Sequence, residues 1–255
     1  MDKRKIRFFN TVLIMIVFVL TNVVISYASE AFSAYKTFPQ TNGYTYKARA
    51  SVNTDGTAAW SYTDLVTTDW NNAPAGYMGA KARLFDPNGM VKKESDMTYT
   101  SQSNYMVSVG TGRYNIQGGT FYGKGSVELY NGNGYVGYDT YQSPSQNNSL
   151  SSITALIERL PDYQINDNGQ TYGSAMLEST KGYEPDLISA IGIDESEGYV
   201  YATDLNGTVP NTPEEAIELM AHRSDSREIP LYKSDGKTII GIFRIETVIR
   251  EIIPE

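Results

Sequence analysis

Cysteine is absent from all 255 residues and histidine occurs once, as His222. The first absence removes disulfides, thiolate metal sites and lipid attachment through a cysteine. The second leaves any Ser-His-Asp arrangement or imidazole metal site with His222 alone to build on. Its place at the C-terminal end of an expected helix gives it a simpler task, complementing the negative end of the helix dipole. Also missing are a Gly-x-Ser-x-Gly elbow, a His-Glu-x-x-His pair and a Gly-x-x-x-x-Gly-Lys-Ser/Thr loop, so hydrolase, zinc-protease and nucleotide-hydrolysis readings find no motif. Gly132-Asn133-Gly134-Tyr135-Val136-Gly137 has the letters of a dinucleotide fingerprint. That motif needs a helix opening at its last glycine, and the strand-like Tyr138-Asp139-Thr140-Tyr141 that follows makes it a hairpin turn. Nothing in the sequence asks for a cofactor.

Long apolar runs are also scarce. The one present follows Lys3, Arg4, Lys5 and Arg7, extends from Val12 to Leu20, and precedes small residues at Ser26-Tyr27-Ala28 and Ser29-Glu30-Ala31. This is the layout of a secretory signal peptide, expected over residues 1–28. A spanning helix needs roughly 20 apolar residues. Thr21 and Asn22 interrupt this stretch, so a membrane is a partner only if the segment is retained as an anchor. The end at Ile253-Pro254-Glu255 has no apolar tail for wall sorting, and the mature chain is expected to be released or held non-covalently at the cell surface. An exported chain without disulfides suits a bacterium that secretes sizeable cores without oxidative folding. The full sequence carries a formal charge of −8, and cleavage would remove four basic residues and one acidic one. A chain this acidic is a poor partner for nucleic acid.

The remaining residues divide in composition. Residues 35–147 hold 9 basic and 8 acidic side chains and 13 of the 20 tyrosines, whereas residues 148–255 hold 8 basic and 19 acidic. The polar run Ser143-Pro144-Ser145-Gln146-Asn147-Asn148-Ser149 marks the change, predicting one domain over 35–147, a linker with a short helix over 148–164, and an acidic domain over 165–255. In the first, Met78, Ala80, Ala82 and Leu84 alternate with Lys81 and Arg83, the period-two signature of a half-buried strand, and Asp86-Pro87-Asn88-Gly89 turns the chain back. Residues 125–130 and 135–141 form a second hairpin across Asn131-Gly132-Asn133-Gly134. The expected fold is an all-β sandwich, Ig-like or similarly antiparallel. In the second, Thr212-Pro213-Glu214-Glu215 is a capping box with proline at the first helical position. Hairpins over 187–202 and 227–245 flank that helix, predicting a small α+β domain of order ββαββ.

Two residue sets are candidate sites. Trp60, Tyr62, Trp70, Tyr77, Tyr122, Tyr130, Tyr135, Tyr138 and Tyr141 offer rigid amphipathic rings for a glycan or protein partner, although tyrosine is equally a preferred strand residue. Carboxylates are dense among Glu184, Asp186, Asp194, Glu195, Glu197 and Asp204. A glycosidase needs only two of them suitably spaced. A weak calcium site from Asp194, Glu195, Glu197 and Asp204 is the alternative use, without the spacing of an EF-hand.

The stretch Asn72-Ala73-Pro74-Ala75-Gly76-Tyr77-Met78-Gly79-Ala80-Lys81-Ala82-Arg83-Leu84-Phe85, with Gly119–Gly125 and Tyr130–Tyr135, resembles a group of small secreted proteins of bacilli. The segment with Pro185-Asp186-Leu187-Ile188, Thr212-Pro213-Glu214-Glu215-Ala216, Ile229-Pro230-Leu231-Tyr232 and Asp235-Gly236-Lys237-Thr238 is similar to a module appended to exported proteins of Gram-positive bacteria. A fainter likeness, to lactococcin-972-type bacteriocins, rests on the signal peptide, the Tyr/Gly-rich β character and size; the long acidic second part departs from it. These resemblances imply export from a Gram-positive cell and bring no catalytic residue. Taken together, the expectation is a secreted, non-enzymatic binding protein that meets a cell-envelope or extracellular partner through its β domain. The alternatives are a secreted antibacterial factor and a wall-active hydrolase using paired carboxylates.

Overall fold

Strand-forming residues in short alternating runs, punctuated by glycine and asparagine, fold into a β-rich molecule. The computed structural model describes residues 29–148 and 162–250; the expected signal peptide and residues 149–161 of the expected linker lie outside the described residues. In the first segment the strands are β1 (Ser29–Phe32), β2 (Lys36–Thr37), β3 (Tyr46–Thr54), β4 (Ala58–Thr67), β5 (Met78–Phe85) and β6 (Val91–Glu94). They continue with β7 (Thr98–Tyr99), β8 (Met106–Thr111), β9 (Tyr114–Asn115), β10 (Thr120–Tyr130), β11 (Tyr135–Asp139) and β12 (Gln146–Asn147). The second segment adds β13 (Gln164–Ile165), β14 (Thr171–Gly173), β15 (Leu187–Ile191), β16 (Glu197–Tyr201), β17 (Ser226–Tyr232) and β18 (Ile239–Ile249). Its helices are a 3₁₀ turn (Ala175–Leu177), α1 (Glu178–Lys181), α2 (Ala202–Asn206) and α3 (Pro213–His222).

Local chemistry accounts for the boundaries. In the turn between β5 and β6, Asp86 Oδ1 accepts hydrogen bonds from the amides of Asn88 and Met90 at 2.9 and 3.0 Å, and Gly89 takes a positive φ of 73°. Thr212 caps α3, accepting from the Glu215 amide at 3.2 Å, with Pro213 at the first helical position. The first segment begins earlier than composition suggests. Ser29–Phe32 pairs antiparallel with Ser51–Thr54, which puts residues before 35 into the sheet.

Hydrogen bonding can be followed without a break along β1/β2, β3, β4, β8, β18, β17, β16, β15, β6, β5, β10 and β11. The pairings are antiparallel except at β6–β15 and β14–β15. This ribbon curls over so that β3 and β4 face β5 and β10. Between them lie Ala48, Leu65, Val109, Met78, Ala80, Val127 and Leu129. A second cluster packs Phe85, Val91 and Tyr122 of the first segment against Ile188, Val200, Leu231, Phe243 and Ile245 of the second. The second segment runs β13, β14, the 3₁₀ turn, α1, β15, β16, α2, α3, β17 and β18, more elements than the expected ββαββ order, and its strands share a sheet and a core with the first.

Glycine inside a strand calls for a reason, and on β10 the reason is close approach. A Cβ on Gly125 would stand 1.8 Å from Thr63 Oγ1, and one on Gly123 2.2 Å from the Ser51 carbonyl oxygen. Gly125→Val is therefore expected to wedge β10 away from β4 and lower stability by about 1–3 kcal/mol, read as a reduced urea midpoint.

Candidate functional site

The alternation that buries Met78, Ala80, Ala82 and Leu84 against the facing strands turns Lys81 and Arg83 of β5 to the opposite side. On β10 the same rule places Lys124, Ser126 and Glu128 beside them. Lys81, Arg83 and Lys124 are buried, because α1, α2 and the loop carrying Glu184 lie over this face, while Ser126 and Glu128 stay half-buried. The result is a polar cleft of about 480 Å³, lined by β5, β10 and β11 on one side and by Glu178, Glu184 and Asn206 on the other.

The floor of the cleft is Glu94 of β6, fully buried. Arg83 Nε donates to its Oε2 at 2.7 Å, while Lys81 Nζ stands 3.0 Å from Oε1. That second oxygen lacks a well-aligned hydrogen-bond donor; the freely rotating ammonium makes the contact an ion pair with adaptable geometry. Arg83 also binds Glu184 through Nη1. Above Lys81 sits Asn206, whose Oδ1 accepts from Lys81 Nζ at 2.6 Å and from Arg83 Nη2 at 3.5 Å, and whose Nδ2 donates to Glu184 at 3.2 Å. Further along, Lys124 Nζ pairs with Asp139 at 2.7 Å and approaches Glu178 at 3.8 Å.

Two carboxyl groups of this cleft are driven in opposite directions. Burial, reinforced by Asp139 and Glu184 and opposed by Lys124 and Arg83, pushes Glu178 up to about 7. Burial also works against ionised Glu184, but Arg83 and Lys81 outweigh it and hold that group at about 2. Both carboxyls line the cleft, and carboxyl groups whose surroundings drive their proton affinities apart are the pattern of acid–base pairs. The linkage sign follows. Glu178 holds its proton more tightly in the folded state, so its contribution to stability is complete below the ordinary glutamate range and is lost as pH rises through about 7. Glu178→Gln is expected to flatten the fall in thermal midpoint between pH 5 and 8, measured by a pH series of melting curves on both proteins.

The aromatic candidates do not form one platform. Trp60 and Tyr62 lie two residues apart on the outer face of β4, under Arg113 at 4.3 Å and Arg250 at 3.9 Å respectively. Trp70 follows β4 in a positive-φ conformation, edge-on to Tyr105, and is 41% exposed. Tyr77, Tyr130 and Tyr135 join Tyr44 and Tyr99 in a run of ring contacts, and the Tyr135 hydroxyl donates to the Gly76 carbonyl at 2.5 Å. Tyr122 is 5% exposed and stacked on Phe85, a core residue that no partner can reach. Tyr141 is exposed beneath Lys36. Tyr138, stacked on Phe38 at 4.8 Å, is the one candidate that lines the cleft.

The calcium candidates separate as well. Asp194 accepts from the Ser196 amide within its own turn. Glu195 accepts from the Tyr114 hydroxyl at 2.5 Å. Glu197 opens β16, and Asp204 lies beyond the far end of that strand in α2. Among the described residues no three acidic or histidine side chains are grouped to hold a metal ion, and no helix is long and apolar enough to cross a membrane. His222 closes α3 at the surface.

Of the cleft residues, sequence reasoning singled out Glu184 and Tyr138. It passed over Glu94, Lys124, Asp139, Glu178 and Asn206, and assigned Lys81 and Arg83 to a solvent face. The available signal was charge of both signs at alternate positions of strands whose other face is glycine and alanine. Comparison with protein families, with curated proteins and with solved structures finds no match to this chain. The cleft is therefore interpreted from its own geometry.

Proposed function

We propose that the protein is an exported, non-enzymatic binding protein of a Gram-positive cell, and that it recognises a cell-envelope or extracellular partner through the charged cleft. In this reading the first segment is an Ig-like antiparallel sandwich and the second an acidic α+β module of ββαββ order packed on it. The observation that carries the proposal is the cleft itself: about 480 Å³, within the size range of small-ligand sites, with cations from the first segment and carboxylates from both. Such a lining fits a ligand bearing hydroxyls, amides and charges of both signs, as cell-wall glycan with its attached peptide does. The secretory N-terminus and the likeness to secreted proteins of bacilli support the setting.

Incubating the mature protein with purified sacculi, pelleting, and analysing both fractions by mass spectrometry tests this. The protein is expected in the pellet, with no muropeptide released. Lys124→Ala, which removes the partner of Asp139 and Glu178 in the cleft lining, is expected to weaken retention by about tenfold, the effect of a contact worth ~1.4 kcal/mol. Unchanged retention in that variant would move the site to aromatics outside the cleft such as Trp70 and Tyr141, both exposed.

A hydrolase is the second reading, favoured by the opposed protonation of Glu178 and Glu184. It requires muropeptides in the supernatant and their loss in Glu178→Gln.

A further inference from the structure

At the floor of the cleft a buried lysine meets a side-chain amide and a buried carboxylate. Lys81 and Glu94 are both buried, the latter completely. Lys81 Nζ lies 2.6 Å from Asn206 Oδ1 and 3.0 Å from Glu94 Oε1. Contact with the amide oxygen at that length keeps the amine beside Cγ, the carbon it would have to attack. We propose that Lys81 and Asn206 join in an intramolecular isopeptide bond, made by the protein itself with Glu94 relaying protons.

The chemistry balances without any co-reactant. Lys81 passes a proton to Glu94 Oε1, whose lone pair no aligned donor occupies, and the freed amine attacks Asn206 Cγ. Negative charge gathers on Oδ1, which faces the guanidinium of Arg83 at 3.5 Å, a fixed charge of the kind that stabilises a tetrahedral intermediate. Glu184, accepting from Nδ2 at 3.2 Å, holds the amide plane in position. The Cγ–Nδ2 bond then breaks as Cγ–Nζ is kept. Of the three ammonium hydrogens of Lys81, one stays on the new amide nitrogen and two leave with the former amide nitrogen as ammonium. Nothing is oxidised or reduced. Asn206 is exposed on its outer side, which gives the leaving group a route to solvent.

The bond would join β5 to α2 across 125 positions of sequence. A chain without cysteine has no disulfide with which to make such a link. The cross-link stands or falls independently of what the cleft binds.

Peptide mapping of the purified, denatured full chain decides the matter. Trypsin is expected not to cut after Lys81, and the digest to contain a branched species joining the Lys81 and Asn206 peptides, lighter than their sum by one ammonia. Asn206→Ala, at an exposed position, should restore the cut. Glu94→Gln should slow bond formation by about 10²–10⁴-fold, the range for losing a general acid–base group. Complete cleavage after Lys81 in the wild-type chain overturns the proposal, as does conversion of Asn206 to aspartate with Lys81 free. A branched peptide formed at an undiminished rate in Glu94→Gln would overturn the role given to Glu94. The wild-type digest remains decisive even where a variant fails to fold.

Discussion

Glu94→Ala is expected to reduce the free energy of unfolding by about 3–5 kcal/mol, the cost of removing one partner from a buried ion pair. The carboxylate is fully buried and compensates two cations at once, Lys81 at 3.0 Å and Arg83 at 2.7 Å. Without it, Arg83 is left with Glu184 and a long contact to Asn206, and Lys81 with the neutral Asn206 oxygen. Urea titration at pH 7 reads the change. A companion variant, Glu94→Ala with Arg83→Met, should recover part of the loss, because the cost lies in the stranded charge rather than in a missing attraction. A single variant within 1 kcal/mol of wild type would show that water reaches the floor of the cleft.

The second large effect belongs to Phe243. This ring is 1% exposed in the cluster that Phe85, Val91 and Tyr122 share with Leu231 and Ile245. Phe243→Ala should cost about 3–5 kcal/mol through lost transfer energy and the cavity left behind. Its diagnostic value lies in where the loss appears. Both tryptophans, Trp60 and Trp70, are in the first segment, whereas Phe243 is in the second. If the segments unfold as one unit, tryptophan fluorescence and far-ultraviolet circular dichroism will shift to the same lower midpoint. A fluorescence midpoint that stays at the wild-type value would show two independently stable halves.

That coupling is the feature least legible in the sequence. Local signals were readable because their causes are local. The Asp86-Pro87-Asn88-Gly89 turn, the Thr212 cap and the alternation along Met78–Phe85 each depend on residues within a few positions of one another. The shift in composition near residue 147 suggests two bodies, since charge and tyrosine content reflect surface character as well as core. Composition carries no trace of the parallel bridge between Val91 and Ala190, nor of Thr247–Ile249 reaching β8. The cleft was hidden for a related reason. Lys81 and Arg83 at alternate positions look the same whether their face meets water or is covered by another part of the chain. Nothing near them in sequence says that Glu184 and Asn206 will cover them. Tyr122 erred in the opposite direction, its hydroxyl suggesting surface while its ring fills the space beside Phe85.

Strand β18 has a consequence for the order of events in folding. One length of it pairs with β17 and its last three residues pair with β8, at Thr247–Thr111 through Ile249–Val109. Next to that junction Arg250 reaches back to Asp64 and Glu30. Chain made early in synthesis must therefore wait for chain made more than a hundred residues later before the ribbon can close. Loop-closure entropy is spent before those pairings return anything, and topologies of this kind fold slowly. A nascent chain interrupted before residue 187 would retain hairpins with Phe85 and Tyr122 lacking their partners Ile188, Val200, Leu231 and Phe243. Completion of synthesis thus acts as a clock, and the window before it runs out is when the chain is most open to proteolysis and to threading through a narrow passage.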